Sequence, residues 1–183
     1  MFNKKTIFLG FASVLLAGTV VAAPVHNTNI TEEEVRKAQE AWGAALIQIS
    51  QDYSEGGLAK AKETAEAVLN QAYGYAQGPV LFKPTLATGE TTFRITQEGA
   101  LAYFVGDNPE FGDSGFALKG WREYSFENAA VYINGDLALT MGHVHLINAA
   151  GEKTTVDKTW GFKKDDQGDL RIVLHHSSLP YSK

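Results

Sequence analysis

Two periodicities divide the chain. From Thr31 to about Tyr73 apolar residues recur every three or four positions, and from Val80 onward they fall into short runs. Val35, Ala38, Trp42, Ala45, Leu46 and Ile49 form one stripe at helical spacing. Ahead of it, Thr31-Glu-Glu-Glu34 predicts a capping box, in which the Thr31 hydroxyl and the Glu34 carboxylate each satisfy the other's exposed amide. Gly56-Gly57 predicts the end of this helix. A second stripe, Ala61, Ala65, Val68, Leu69 and Ala72, predicts another helix from about Leu58 to Tyr73, stopping near Gly74. Both stripes read as faces turned to a core.

The runs VLFKPTL, FRIT and ALAYFVG predict short strands, with Pro84 at an edge or a bulge. On that reading Leu101, Tyr103 and Val105 share a face. A glycine-rich loop spans 107–120. The last third predicts a meander through 131–133, 137–147, 154–163 and 169–179, with turns at Asn134-Gly135-Asp136, at 149–152 and at 165–168. The expected fold class is α+β, with N-terminal helices packed on a strongly curved antiparallel sheet, a cone-like α+β barrel. Its open end is a natural place for a small ligand.

Composition narrows the picture. Residues 1–22 combine Lys4 and Lys5 with an apolar stretch from Ile7 to Val21 and small residues at Ala22 and Ala23, the layout of a secretory signal peptide cut after Ala22. The expected organisation is therefore a signal peptide at 1–22, a linker at 23–30 and one domain at 31–183, located in the periplasm or secreted. Losing Lys4 and Lys5 makes a formal charge of −5 two units more negative. An acidic chain without a basic block argues against nucleic acid, which demands clustered Lys and Arg. No second apolar span suggests a membrane helix. The absence of cysteine excludes thiolate nucleophiles and cysteine-ligated zinc, and packing alone must hold the fold.

Strict alternation along RIVLHHSSLP puts Leu170, Ile172, Leu174, His176 and Ser178 on one side and Arg171, Val173, His175 and Ser177 on the other. If the first set lines the cone, His176 and Ser178 end an apolar wall, and His175 and Ser177 face outward or into a subunit contact. His143 and His145 in MGHVHL could share a metal, but a third ligand would have to come from His175 or His176. Asp157 and Glu98 are possible bases, more simply read as surface ion-pair partners. Trp121, Tyr124 and Tyr132 could furnish an interface between two copies.

VLFKPTLA, FRITQEGALAYFVG, GFALKGW and TVDKTWGFKKDDQGDLRIVLHHSSLPY, in this order, resemble the iota-class carbonic anhydrases, relatives of the nuclear transport factor 2-like and calmodulin-kinase association-domain superfamily. The resemblance covers about Trp42 to Tyr181. It implies reversible hydration of carbon dioxide to bicarbonate and a proton, with Thr85, Tyr103, His176 and Ser178 as catalytic residues and Thr85, Tyr103 and Ser178 holding substrate. On this expectation His176 takes the proton of the attacking water, directly or through a hydroxyl chain, and Leu174 and Phe104 wall the carbon dioxide. The implied cofactor is none, with zinc or manganese as alternatives, and the resemblance carries no metal role onto His143 and His145. The expected assembly is a homodimer. A non-catalytic binding or assembly module of the same fold is the competing expectation. A ketosteroid-isomerase-like activity would want a buried carboxylate base, which no Asp or Glu on an apolar strand face supplies.

Overall fold

The computed structural model describes residues 28–182. The expected signal peptide lies outside the described residues, as does most of the 23–30 linker. Its last residue, Ile30, is already part of the fold: it is buried, and its amide donates to the Gly135 carbonyl.

Helix α1, Glu32–Ala72, begins with the capping box written in the sequence. Thr31 Oγ1 accepts from the Glu34 amide at 3.2 Å, and Glu34 Oε2 accepts from the Thr31 amide at 2.8 Å. The two predicted helices are one helical run broken at Gly57, whose φ of 73° is open to glycine and strained for other residues. Asp52 fastens the break: it accepts from Gln48 on its own side and from Lys60 and Thr64 beyond the glycine. Val35, Trp42, Leu46, Ile49, Ala61, Ala65 and Leu69 face the core, as their spacing requires.

Five strands follow: β1 (Leu81–Lys83), β2 (Trp121–Asn134), β3 (Leu137–Asn148), β4 (Lys153–Lys164) and β5 (Leu170–Ser178). Their order is β1-β5-β4-β3-β2, so the sheet is open, with β1 and β2 at its edges. The meander is antiparallel as predicted, but β1 runs parallel to β5, which makes the sheet mixed. The core lies between the concave face of the curled sheet and α1.

Two expectations fail. ALAYFVG is not a strand but lies in helix α2, Gln97–Val105, capped by Thr96 and ended by Gly106. Ala100, Ala102, Tyr103, Phe104 and Val105 are all buried. A short helix plugged into the core is apolar nearly all round and shows no 3.6-residue stripe. FRIT is likewise no strand: Phe93 and Ile95 are exposed, and Arg94 points inward to Asp113 at 3.0 Å.

A third departure, in β5, shapes the cavity. Gly161 pairs with Leu174 but its neighbour Phe162 pairs with Ile172, so Val173 is an extra residue in β5. Such a bulge reverses the alternation beyond it. Leu170 and Ile172 face the core as expected, but the next inward residues are His175 and Ser177, both buried. His176 is exposed and Ser178 half-buried.

Candidate functional site

Each wall of a small cavity is set by a different element. Trp42 comes from α1, Thr85 from the loop after β1, Tyr103 and Phe104 from α2, Lys158 from β4, and His175 and Ser177 from β5. Phe116, Val144, Leu146 and Val156 complete an apolar lining. About 10 Å³ is open to the centre of a water molecule, room for roughly one water. A groove between α1 and β2 is larger, about 650 Å³, but it is open and carries Glu32, Arg36 and Glu40 at its rim.

His175 is clamped. Its ring stacks on Phe82 at 4.2 Å between centroids and lies 4.5 Å from Trp160. Trp42 Nε1–H donates to the Tyr73 oxygen at 2.9 Å, and that oxygen lies 2.8 Å from His175 Nδ1. His175 Nε2 meets the Lys158 amine. Burial pushes the imidazole well below its ordinary pKa.

The hydroxyls are arranged as donors. Thr85 Oγ1–H donates to Ser177 Oγ at 2.7 Å, which leaves the Ser177 hydrogen for another acceptor. The Tyr103 oxygen is buried and no protein group meets hydrogen-bond geometry with it. Burial raises its pKa far above the phenol value, although Thr85 and Leu86 temper the rise, so the group stays protonated.

Of the four residues picked from the sequence, Thr85 and Tyr103 line the cavity. His176 and Ser178 do not. They lie on the opposite face of β5, with His176 beside Thr159 and Lys83, and Ser178 beside Asp157. Leu174 shares that outer face, while Phe104 is a wall of the cavity as expected. His175 and Ser177 stand where His176 and Ser178 were placed, because the Val173 bulge breaks the count on which the assignment rested.

Lys158 is not among the residues expected from the sequence. The signal for it was present, since Val156, Trp160 and Phe162 alternate as inward positions of one strand and Lys158 falls among them. His143 and His145 sit on the outer face of β3, bonded to Glu127 at 3.0 Å and to Thr155 at 2.8 Å. Among the described residues no three His, Asp or Glu side chains converge as a metal site. Asp157 lies 3.4 Å from His143, and Glu98 bonds Asn108, so both are surface partners.

Comparison with known proteins agrees with this architecture. The sequence profile of the metal-independent carbonic anhydrases matches residues 33–179. A metal-independent carbonic anhydrase of Nostoc sp. (strain PCC 7120 / SAG 25.82 / UTEX 2576) is 48% identical over 203 residues, spanning 100% of this chain and 99% of its own. The crystal structure of the iota-carbonic anhydrase from a cyanobacterium, complexed with bicarbonate, is 56% identical with a TM-score of 0.87, over 89% of this chain and 100% of that one. A Xanthomonas campestris protein solved as a calcium/calmodulin-dependent protein kinase II association domain shares the fold at 19% identity and a TM-score of 0.52, over 91% of this chain and 100% of its own. With the whole domain matched from α1 to the end of β5, this chain belongs to the metal-independent carbonic anhydrase family.

Proposed function

We propose that the cavity framed by Thr85, Tyr103, His175 and Ser177 is where this carbonic anhydrase hydrates carbon dioxide reversibly to bicarbonate and a proton. The observation that carries this reading is the Tyr103 hydroxyl: a buried, protonated donor with no protein acceptor, in a cavity whose walls are otherwise largely apolar. Carbon dioxide has no net dipole and suits Phe104, Phe116 and Val156. Bicarbonate and the transition state leading to it carry negative charge on oxygen. Tyr103 and Ser177 can donate to those oxygens, and fixed donors in a dry site are worth more than the same groups in water. The related cyanobacterial enzyme, solved with bicarbonate, supports this choice of ligand.

Zinc lowers the pKa of bound water from about 15.7 to about 7 in the metal-dependent solution to this problem. The donors here are hydroxyls, an imidazole and an amine, and free hydroxide is not the economical route for them. Water is instead deprotonated as it attacks, by a base that the cavity holds. Stopped-flow hydration with a pH indicator, before and after treatment with a chelator, tests the reading. Rapid hydration unaffected by the chelator is expected. A purified, folded protein without hydration activity refutes it and favours a binding module.

The same proposal includes a homodimer formed through the outer face of the sheet. Leu81, Leu174, Gly161, Leu139 and Tyr132 lie in register across all five strands. Leu81, Tyr132 and Met141 are each about 60% exposed on that face, an apolar row that favours a covered surface. Of the aromatic residues first considered for an interface, Trp121 is buried against Phe116 and Tyr124 packs on Trp42, which leaves Tyr132. Light scattering at micromolar concentration is expected to give twice the chain mass; a monomer there rejects the dimer. Export to the periplasm or the medium is supported by the sequence of 1–22, and N-terminal sequencing of the mature protein is expected to start at Ala23.

A further inference from the structure

Lys158 is the cavity residue to which the family's chemistry, as argued above, gives no separate task. We infer that Lys158 is the proton acceptor of the reaction: a neutral amine in the resting protein that becomes an ammonium ion as bicarbonate forms. This deepens the carbon dioxide reading and rests on it.

Position is the first argument. Lys158 lies on the inner face of β4, directly across from Ser177 on β5. Its Nζ sits 4.4 Å from the ring centres of both Trp42 and Trp160. Among the described residues no carboxylate pairs with it, and its hydrogen-bond partner is His175 Nε2. A permanent cation here would be buried without a counter-ion, which is costly.

Hydrogen-bond direction is the second argument. An indole N–H can only donate, so the Tyr73 oxygen accepts from Trp42. The hydrogen of the buried Tyr73 hydroxyl then has one acceptor in reach, His175 Nδ1. A neutral His175 must therefore carry its proton on Nε2, and that N–H points at Lys158 Nζ. Only the lone pair of a neutral amine can accept it. Reversing the chain would strand the Tyr73 hydrogen and leave an ammonium unpaired. Burial independently pushes the Lys158 amine well below the usual lysine range.

The step balances without any further reactant. The water oxygen forms a bond to the carbon of carbon dioxide, one water O–H breaks, and that proton moves to Nζ. In sum, CO2, H2O and Lys158–NH2 give HCO3⁻ and Lys158–NH3⁺. The cavity carries no net charge before or after, so no lone anion is left in apolar surroundings. The two indole faces accommodate the new cation. The His175 Nε2–H, released from the lone pair, becomes a donor to bicarbonate.

The other titratable groups of the cavity suit the role less well. Tyr103 is held protonated, and taking a proton at His175 Nδ1 would reverse the Tyr73 bond. The Arg94–Asp113 ion pair lies beside α2. His176, Lys83 and Asp157 lie toward the outer face.

Calorimetric titration of wild-type protein with bicarbonate at pH 8, in two buffers of different ionisation enthalpy, tests the assignment. Uptake of about one proton per bicarbonate bound is expected, with none in K158M. Hydration by K158M should fall on the order of 100-fold or more, the usual weight of a general base. Nitrogen-15 NMR of the Lys158 amine in the wild type guards against a misfolded variant, and a neutral amine is expected at pH 8 without bicarbonate. An ammonium signal there, binding without proton uptake, or K158M with full activity overturns the assignment. If wild-type protein hydrates carbon dioxide while one of these results is obtained, only the Lys158 role falls. An inactive wild type removes the functional reading as well.

Discussion

Tyr103→Phe is expected to move activity and stability in different directions. The substitution removes one oxygen and preserves the ring, which stacks on Phe116 at 5.4 Å and meets Phe82 edge-on at 5.7 Å. In the folded protein that oxygen is buried without a well-formed hydrogen bond, although Thr85 and Leu86 lie close to it. A buried polar group without a hydrogen bond costs about 1–3 kcal/mol, so deleting it should leave stability unchanged or raise it by about 1 kcal/mol. For a chain of this size that is a rise in Tm of about 2–4 °C at most. The transition state responds in the opposite sense. Loss of one donor to a developing oxyanion typically costs 10²–10³-fold in kcat, about 2.7–4 kcal/mol. Stopped-flow hydration gives the first quantity and urea unfolding the second. Activity within about twofold of wild type refutes the donor role. A loss of stability above about 1 kcal/mol refutes the claim that the hydroxyl has no structural partner.

The bulge in β5 makes a paired test. His175→Ala and Ser177→Ala should each lower hydration at least tenfold, whereas His176→Ala and Ser178→Ala should stay within about twofold, since a donor outside the cavity gives no transition-state stabilisation; the reverse order would return the site to the other face. Tyr73→Phe should cost about 1–3 kcal/mol by unpairing Trp42 and His175, and a shift in the pH–rate profile should accompany it as the imidazole tautomer is released. Asp52 is held below the ordinary carboxylate range first by Thr64 and then by Lys60. A depressed carboxylate stabilises above its unfolded pKa, near 3.9, and loses that contribution as pH falls through the folded value. Asp52→Asn should therefore flatten the acid side of the stability curve, and an unchanged acid-unfolding profile would show that the Gly57 break needs no such clasp.

Some of this protein is written locally and some is not. The Thr31 capping box, the apolar faces of α1, the interruption at Gly57 and the turns of the meander depend on residues within a few positions of one another. Their physics is complete in the sequence. Helix α2 is not legible from periodicity because burial on nearly every side erases its period, and the parallel seating of β1 beside β5 depends on a partner more than ninety positions away. Thr85 and Tyr103 could be named by resemblance, but the choice between His175 and His176 could not be made by counting. Strand alternation holds only while the ladder is regular, and whether Val173 is accommodated as an extra residue is decided where β4 and β5 meet. That one irregularity turns His175 and Ser177 into the cavity that Lys158 and Tyr103 line, so the cavity belongs to the sheet rather than to the strand.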